Sequence, residues 1–469
     1  MAISKGEQAK LDAELVARLC DLEPSRENKQ EVDHLVALIC RLGRKANPKG
    51  KVYASLFGSR VYNMCTNSSD VDIMVTVRVP DKNPEVAYTR FFNRLAYAMR
   101  CHRKFELVVK VSHARVPIIK FTYRCHSGQV LDGDISLNGS MGAAKSKLIA
   151  TYVDMDPRVR QVLLVLKLWG KARGITDHNT LNSYGLMMMG IAFLISRRVV
   201  PPLQLVNTAV INQAGWKRLA RIQSNADEVH SLYGASIADA TSERGSGSVI
   251  QCIQTRNPLP DWRVDGKRAY FLGGKFISEW KSPNKHSAPK LLYEFFRYYG
   301  CEFDPMRNVV SPRLGSAGIP RSWLYELQVP EPAMYLSLPT QWRSDLRLLA
   351  IEDPFELSVN CARNATPEWC EGLFWEMRRA AWALQPRPGG FGGIQRLLLE
   401  PSQDTFGDAS VWATAYHRLL PLLQNLVEEQ VFDAKKDVRP ASIIDMGELE
   451  NTELAKASDG QKEAAPDAE

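Results

Sequence analysis

The sequence predicts two lobes, an α/β lobe over residues 46–147 followed by a mainly helical lobe over 148–432. Three observations predict this. Apolar and polar residues alternate with period two in residues 71–77 and again in 130–137, the pattern of half-buried strands. Between them, Val116-Pro117-Ile118-Ile119-Lys120-Phe121 reads as a further buried strand. From Val159 onward the apolar residues recur at helical spacing. At 469 residues and 45% hydrophobic composition the chain can bury two or three cores.

In chain order, residues 1–45 read as helical, with Leu11, Leu15, Val32, Leu35, Val36, Leu38 and Ile39 at helical spacing, and are expected to brace the second lobe. Residues 52–77 read as a strand, a Gly58-Ser59 turn, a polar loop and a second strand carrying Asp70 and Asp72. Val71, Ile73, Val75 and Val77 take one face of that strand, so both aspartates project from the other, about 7 Å apart. In the strand 130–137, Leu131, Ile135 and Leu137 share one face and Asp132 and Asp134 the other. Asp156 is followed by Pro157, which marks the Asp154/Asp156 pair as the cap of a helix rather than a ligand pair.

That helix buries Val162, Leu163, Val165, Leu166 and Trp169, and sets Lys167 and Lys171 four apart on one face. Like charges at this spacing cost about 0.2–0.5 kcal/mol unless an anion or acid lies between them. Asn182-Ser183-Tyr184-Gly185 opens an apolar helical run over 186–195. Residues 205–289 are polar and irregular, and the helical period returns at 289–299. Asp353-Pro354-Phe355-Glu356 has the N-cap, N1 and N3 residues of a capping box and predicts a helix start. Residues 433–469 form an acidic tail that reads as disordered.

Net charge is +8, yet residues 445–469 hold eight acids and two lysines, so the rest of the chain carries +14. That excess suits a surface facing phosphates. The nine cysteines form no Cys-x-x-Cys pair, which argues for reduced thiols, and Cys101-His102 and Cys125-His126 fit no common zinc spacing. No apolar run is long enough for a membrane span, and the acid-bearing N-terminus is unlike a transit peptide. A cytoplasmic location is the expectation, with the mitochondrion the alternative.

Two carboxylates on one strand face suit a divalent metal with oxygen ligands, and backbone N–H groups at a Gly-Ser turn suit a phosphate. Asp132 or Asp134 on a neighbouring strand would add a third carboxylate. Ser183 at a helix N-terminus could hold phosphate and Tyr184 could stack on a nucleobase, although an N-cap and a core aromatic are the plainer readings of both. Phosphoryl or nucleotidyl transfer is the chemistry these groups favour.

The pattern Gly58-Ser59, ten residues, Asp70-Val71-Asp72 and a distant Gly133-Asp134-Ile135 resembles the nucleotidyltransferase superfamily that includes DNA polymerase beta. Residues 149–175, 179–186, 289–299 and 351–364 narrow the resemblance to the non-templated RNA terminal nucleotidyltransferases, which comprise terminal uridylyltransferases and related poly(A) polymerases. Within that group the compact chain is similar to the trypanosomatid uridylyltransferases. The resemblance implies a bilobal fold, with a mixed-sheet catalytic lobe and a helical poly(A)-polymerase-associated lobe enclosing a nucleotide cleft.

It also implies magnesium on Asp70, Asp72 and Asp134, with manganese an alternative. Gly58, Ser59, Lys167, Lys171 and Ser183 are implied to hold phosphates, Tyr184 to stack on the base, and Asp353 and Glu356 to read its edge. Implied partners are UTP, single-stranded RNA 3′ ends and an RNA-processing complex, with no membrane. The implied reaction is template-independent uridylate addition; the alternatives are a poly(A) polymerase using ATP and an inactive RNA-binding subunit. The chain departs from the family at two positions. Val359 stands where many uridine-selective relatives carry histidine, and Lys145-Ser146 stands where the family places asparagine followed by serine or threonine. Ser146 can keep a nucleotide-binding role, whereas Lys145 offers no hydrogen-bond acceptor.

Overall fold

The computed structural model describes most of residues 13–204, 263–271, 280–321 and 347–391. Most of the irregular stretch expected over 205–289, and all of the acidic tail, lie outside the described residues.

The first lobe opens with α1 (Arg26–Ala46), capped by the Ser25 side chain and carrying Arg44 and Lys45 in its last turn, where they complement the helix dipole. Next come β1 (Lys51–Leu56), a single 3₁₀ turn (Gly58–Arg60), β2 (Val71–Arg78), α2 (Pro84–Arg100), β3 (Phe105–Val111), β4 (Ile118–Arg124) and β5 (Val130–Leu137). The strands form one mixed sheet in the order β1-β2-β5-β4-β3. Only β2 and β5 pair in parallel; β1–β2, β5–β4 and β4–β3 are antiparallel. Asp70 lies one residue ahead of β2 instead of within it, because the ladder with β5 begins at Val71 opposite Gly133.

The expected alternation holds along β2: Val71, Ile73, Val75 and Val77 are buried against α1 and α2, in one core with Leu35, Ile39, Phe91, Leu95 and Ile135. Each such side chain contributes roughly 1.5–3 kcal/mol on burial. Asp72 and Asp134 consequently leave the opposite face of the sheet. The expectation that residues 1–45 brace the second lobe needs dividing. Leu15 and Leu19 do join the helical core, but the apolar stripe of α1 (Val32, Leu35, Ile39) faces the sheet.

The second lobe is built from α3 (Ser140–Met155), α4 (Pro157–Ala172), α5 (Ser183–Ser196), α6 (Ala288–Arg297), the hairpin of β6 (Asn308–Ser311) and β7 (Ser316–Pro320), and α7 (Pro367–Ala383). Helix α3 runs through the boundary expected at residue 147. Ser146 docks on the Gly58 turn while Leu148 and Tyr152 enter the helical core. Asp156 caps α4 ahead of Pro157, as the sequence predicts. Asn182, not Ser183, caps α5, its side chain accepting from the Gly185 N–H at 2.8 Å. Trp169 meets Phe296 edge-on at 4.8 Å and donates its indole N–H to Glu376 at 3.2 Å, a buried carboxylate also held by Arg173 and Arg379.

No helix starts at Asp353. Its Oδ1 accepts from the N–H groups of Phe355 and Glu356, both at 3.0 Å, but the chain then doubles back so that the Asp353 N–H donates to the Val359 carbonyl at 3.1 Å. The capping chemistry is present and the helix is not. Bridges from Ile351 to Val310 and from Glu352 to Asn360 hold both ends of the segment extended. Cys125 and His126 also part company. The thiol is buried in the sheet core, whereas His126 places Nδ1 3.2 Å from Glu31 and Nε2 2.7 Å from the Lys104 ammonium.

Gly133 lies between Asp132 and Asp134, where a Cβ would collide with the Val71 carbonyl oxygen and the Phe121 ring. Gly133→Ala is expected to cost about 1–3 kcal/mol in stability, and to disturb the spacing of β2 from β5. Chemical denaturation checks this; an unchanged midpoint would mean that the pair relaxes around the methyl group.

Candidate active site

Asp72 and Asp134 hold the same register position on the parallel pair β2–β5, and Asp70 immediately precedes β2. Adjacent strands lie about 4.8 Å apart, so the two carboxylates rise side by side from the face opposite α1 and α2. Asp132 shares their face, but it is exposed and accepts a hydrogen bond from Thr122 Oγ1 at 2.6 Å.

The Gly58 turn closes one side of the cluster. Gly58 has φ of 68°, and a Cβ there would fall on Asp72 Oδ2, so glycine is demanded by both conformation and space. Its N–H donates to Ser146 Oγ at 2.8 Å, and that hydroxyl donates to the Gly142 carbonyl at 2.8 Å. The Gly58 N–H and the Ser146 hydroxyl, both expected to face the nucleotide, are thus hydrogen-bonded to each other, and Ser146 ties α3 to the turn. Ser59 is buried, with its carbonyl accepting from the Met64 N–H at 2.9 Å.

Burial, reinforced by Asp134 and Asp70, pushes the Asp72 carboxyl up to about 7, with Lys167 and Arg60 pulling the other way. Burial also raises the Asp134 carboxyl, Asp70 adding to the rise and the Lys120 ammonium, 3.9 Å away, opposing it. Two of three neighbouring carboxylates are thus held above their ordinary range by burial and mutual repulsion. A set of oxygen donors in that condition fits a hard divalent cation such as magnesium or manganese, which would offset the repulsion.

Lys167 projects from α4 toward the acids. Its ammonium donates to the Met64 carbonyl at 2.9 Å and is lowered chiefly by burial, while Cys65 and Asp72 raise it. Lys171, one turn on, is exposed. Arg60, which sequence reasoning passed over although it directly follows Gly58-Ser59, donates to Asn28 Oδ1 and to the Ser69 carbonyl, both at 3.0 Å. It ties the Gly58 turn to α1 and to the loop that delivers Asp70.

A second cluster joins α3, α5 and the Asp353 turn. Lys145 places its Nζ 2.5 Å from Asp353 Oδ2, 2.7 Å from Glu356 Oε2 and 5.2 Å from the centre of the Tyr184 ring. Burial lowers the Lys145 ammonium, but Asp353 and Glu356 outweigh it, so the net shift is upward. The Tyr184 hydroxyl is buried without a hydrogen-bond partner among the described residues, a donor that a bound ligand would satisfy. Ser183, the first residue of α5, presents its hydroxyl at a helix N-terminus. Sequence reasoning noted Lys145 only as a lost acceptor; its ion pairs span 208 and 211 residues of chain and leave no local signal.

Two family models match the chain. "Poly(A) RNA polymerase, mitochondrial-like, central palm domain" covers residues 11–154, and "Cid1 family poly A polymerase" covers 289–359. Through these two domains, in this order, the chain is similar to the non-templated RNA terminal nucleotidyltransferases. It is 25% identical to human terminal uridylyltransferase 4 over 74% of its own length and 18% of that protein. To the poly(A) RNA polymerase cid13 of Schizosaccharomyces pombe it is 26% identical, over 72% of its length and 46% of the relative. The chain therefore spans less than half of these curated relatives. Among solved structures, the Cid1 poly(U) polymerase superposes with a TM-score of 0.57 at 20% identity, over 84% of this chain and 99% of that one, which shows the shared bilobal fold. These matches do not show a narrower kinship with the trypanosomatid uridylyltransferases. No helix among the described residues is long and apolar enough to cross a membrane.

The Asp72 shift has a thermodynamic consequence in metal-free protein. Its folded-state pKa of about 7 lies above the unfolded value of 3.8, so its stabilising contribution is complete below about 3.8 and is lost as pH rises through about 7. Melting temperature in chelator should accordingly fall between about pH 4 and 7, and Asp72→Asn should flatten the fall. Equal slopes for the two proteins would show that Asp72 is not the titrating group.

Proposed function

We propose that this chain extends the 3′ ends of RNA without a template, taking UTP as the incoming nucleotide. The observation that carries the reading is the register pairing of Asp72 with Asp134 beside Asp70, on the sheet face that Lys167 approaches. A scaffold protein has no use for three carboxylates held together against their own repulsion.

In this reading Asp70, Asp72 and Asp134 hold two divalent cations, which would supply charge stabilisation to the attacking and leaving oxygens. The RNA 3′-hydroxyl attacks the α-phosphorus of the nucleotide in line and pyrophosphate departs. Lys167, Lys171 and Ser183 bind the triphosphate oxygens through charge-assisted hydrogen bonds and a helix N-terminus. Lys167 has N–H groups to spare beyond the one given to Met64. Gly58 lets the backbone pass close to Asp72, and Ser146 keeps the turn in place. Tyr184 stacks on the base, with Asp353 and Glu356 at its edge through Lys145. Uracil is the base proposed, since its N3–H suits a carboxylate and its flanking carbonyls suit a cationic donor. Magnesium, or manganese in its place, UTP and single-stranded RNA ends are the ligands proposed, with an RNA-processing complex as the setting.

Asp70→Ala, Asp72→Ala and Asp134→Ala should each abolish extension of a labelled single-stranded RNA while the melting curve stays cooperative. Asp132→Ala should retain activity, because Thr122 already engages that carboxylate. A folded Asp72→Ala protein that extends RNA at the wild-type rate would refute the two-metal assignment. Supplying each nucleoside triphosphate separately tests the base, and faster addition of adenosine than uridine would make the protein a poly(A) polymerase. Lys167→Ala should weaken triphosphate binding by about tenfold or more, consistent with a lost charge-assisted bond, and leave nucleoside binding little changed. Equal losses for both ligands would assign Lys167 to the fold.

A further inference from the structure

The base-reading carboxylates are not presented bare. Asp353 is already heavily engaged, with Oδ1 taking the Phe355 and Glu356 N–H groups at 3.0 Å and Oδ2 taking Lys145 at 2.5 Å. Glu356 Oε2 takes the same ammonium at 2.7 Å. An ammonium has three N–H groups and no acceptor; two of those on Lys145 point to the carboxylates, which leaves one. That ammonium stands 5.2 Å from the centre of the Tyr184 ring. Aromatic rings stack about 3.5 Å apart, so a base laid on Tyr184 brings its edge within reach of the lysine.

We infer that Lys145 is a specificity-determining residue of the nucleotide site, and that its remaining N–H selects a base with a carbonyl oxygen where cytosine and adenine carry an amino group. The inference rests on the reading of this site as a nucleotide-addition centre and goes further, because it moves the discriminating contact from Asp353 and Glu356 to the cation between them. With uracil, O4 accepts from the ammonium. With cytosine, a ring of the same size, the 4-amino group turns its N–H bonds toward an ammonium that can only donate, and both donors are left unpaired. Val359, part of the same turn, has no side-chain donor that could do this work. The Lys145 side chain is only 20% exposed, so water cannot readily substitute.

The test is the ratio of kcat/KM for UTP to that for CTP, with ATP alongside, in the wild type, in Lys145→Ala and in the double variant Lys145→Met/Asp353→Asn. The double variant removes the cation together with its buried counter-charge and keeps an amide oxygen for the turn, so it provides a folded protein if Lys145→Ala does not. The wild type should favour UTP over CTP. Loss of Lys145 should lower that ratio at least tenfold, mainly through a higher KM for UTP and a lower one for CTP, a pattern that general damage to the fold would not produce. A ratio unchanged within about twofold in the folded variants, or a wild type that prefers CTP or ATP, overturns the assignment. A wild type that adds no nucleotide at all would instead overturn the reading of the site as a nucleotide-addition centre.

Discussion

Parallel hydrogen bonding between β2 and β5 sets Asp72 opposite Asp134, and the rest of the first lobe is arranged to preserve that pairing. A slip of one residue would turn one carboxylate into the core and bring an apolar side chain out in its place. The register is guarded from both sides. Below the sheet, Val71, Ile73 and Ile135 pack against α1 and α2, and within the ladder Gly133 permits the close approach of Val71. Above it, the Gly58 backbone presses on Asp72 and is itself held by Ser146 from α3. The electrostatic cost of the arrangement is visible in the raised Asp72 carboxyl, which divalent cations would offset.

The two lobes are joined at this site as well as by chain continuity. Helix α3 belongs to both, with Ser146 on the turn of the first lobe and Tyr152 in the core of the second. Lys145, one residue before Ser146, points the other way and holds the Asp353 turn. Neighbouring residues of one helix thus connect the Gly58 turn beside the aspartates to the Lys145–Asp353–Glu356 cluster. Removing one partner of a buried pair such as Lys145–Asp353 costs roughly 3–5 kcal/mol. A charge cluster so placed holds α3, α5 and the Asp353 turn together.

Much of this was legible in the sequence because it is local. Period-two alternation at 71–77 and 130–137 located the strands and the face on which the acids lie, and Asp156-Pro157 located the start of α4 to the residue. The capping box at Asp353 shows where local reading stops. Its hydrogen bonds form as the residue types require, yet the bridges to Val310 and Asn360 hold the chain out of a helix. Ser183 was misplaced by one position because Asn182 competes for the same cap.

The sequence by itself determined which residues carry charge, which strand face carries the acids, and the resemblance that named the family, since each depends on residue types at short, fixed spacings. Tertiary structure alone decided the parallel register of β2 on β5, the capture of Ser146 by the Gly58 turn and the partner of Lys145. Each of these joins segments separated by about sixty to two hundred residues. Their choice follows from which buried polar groups are left needing a partner once the cores have packed, and no periodicity in the chain records that need.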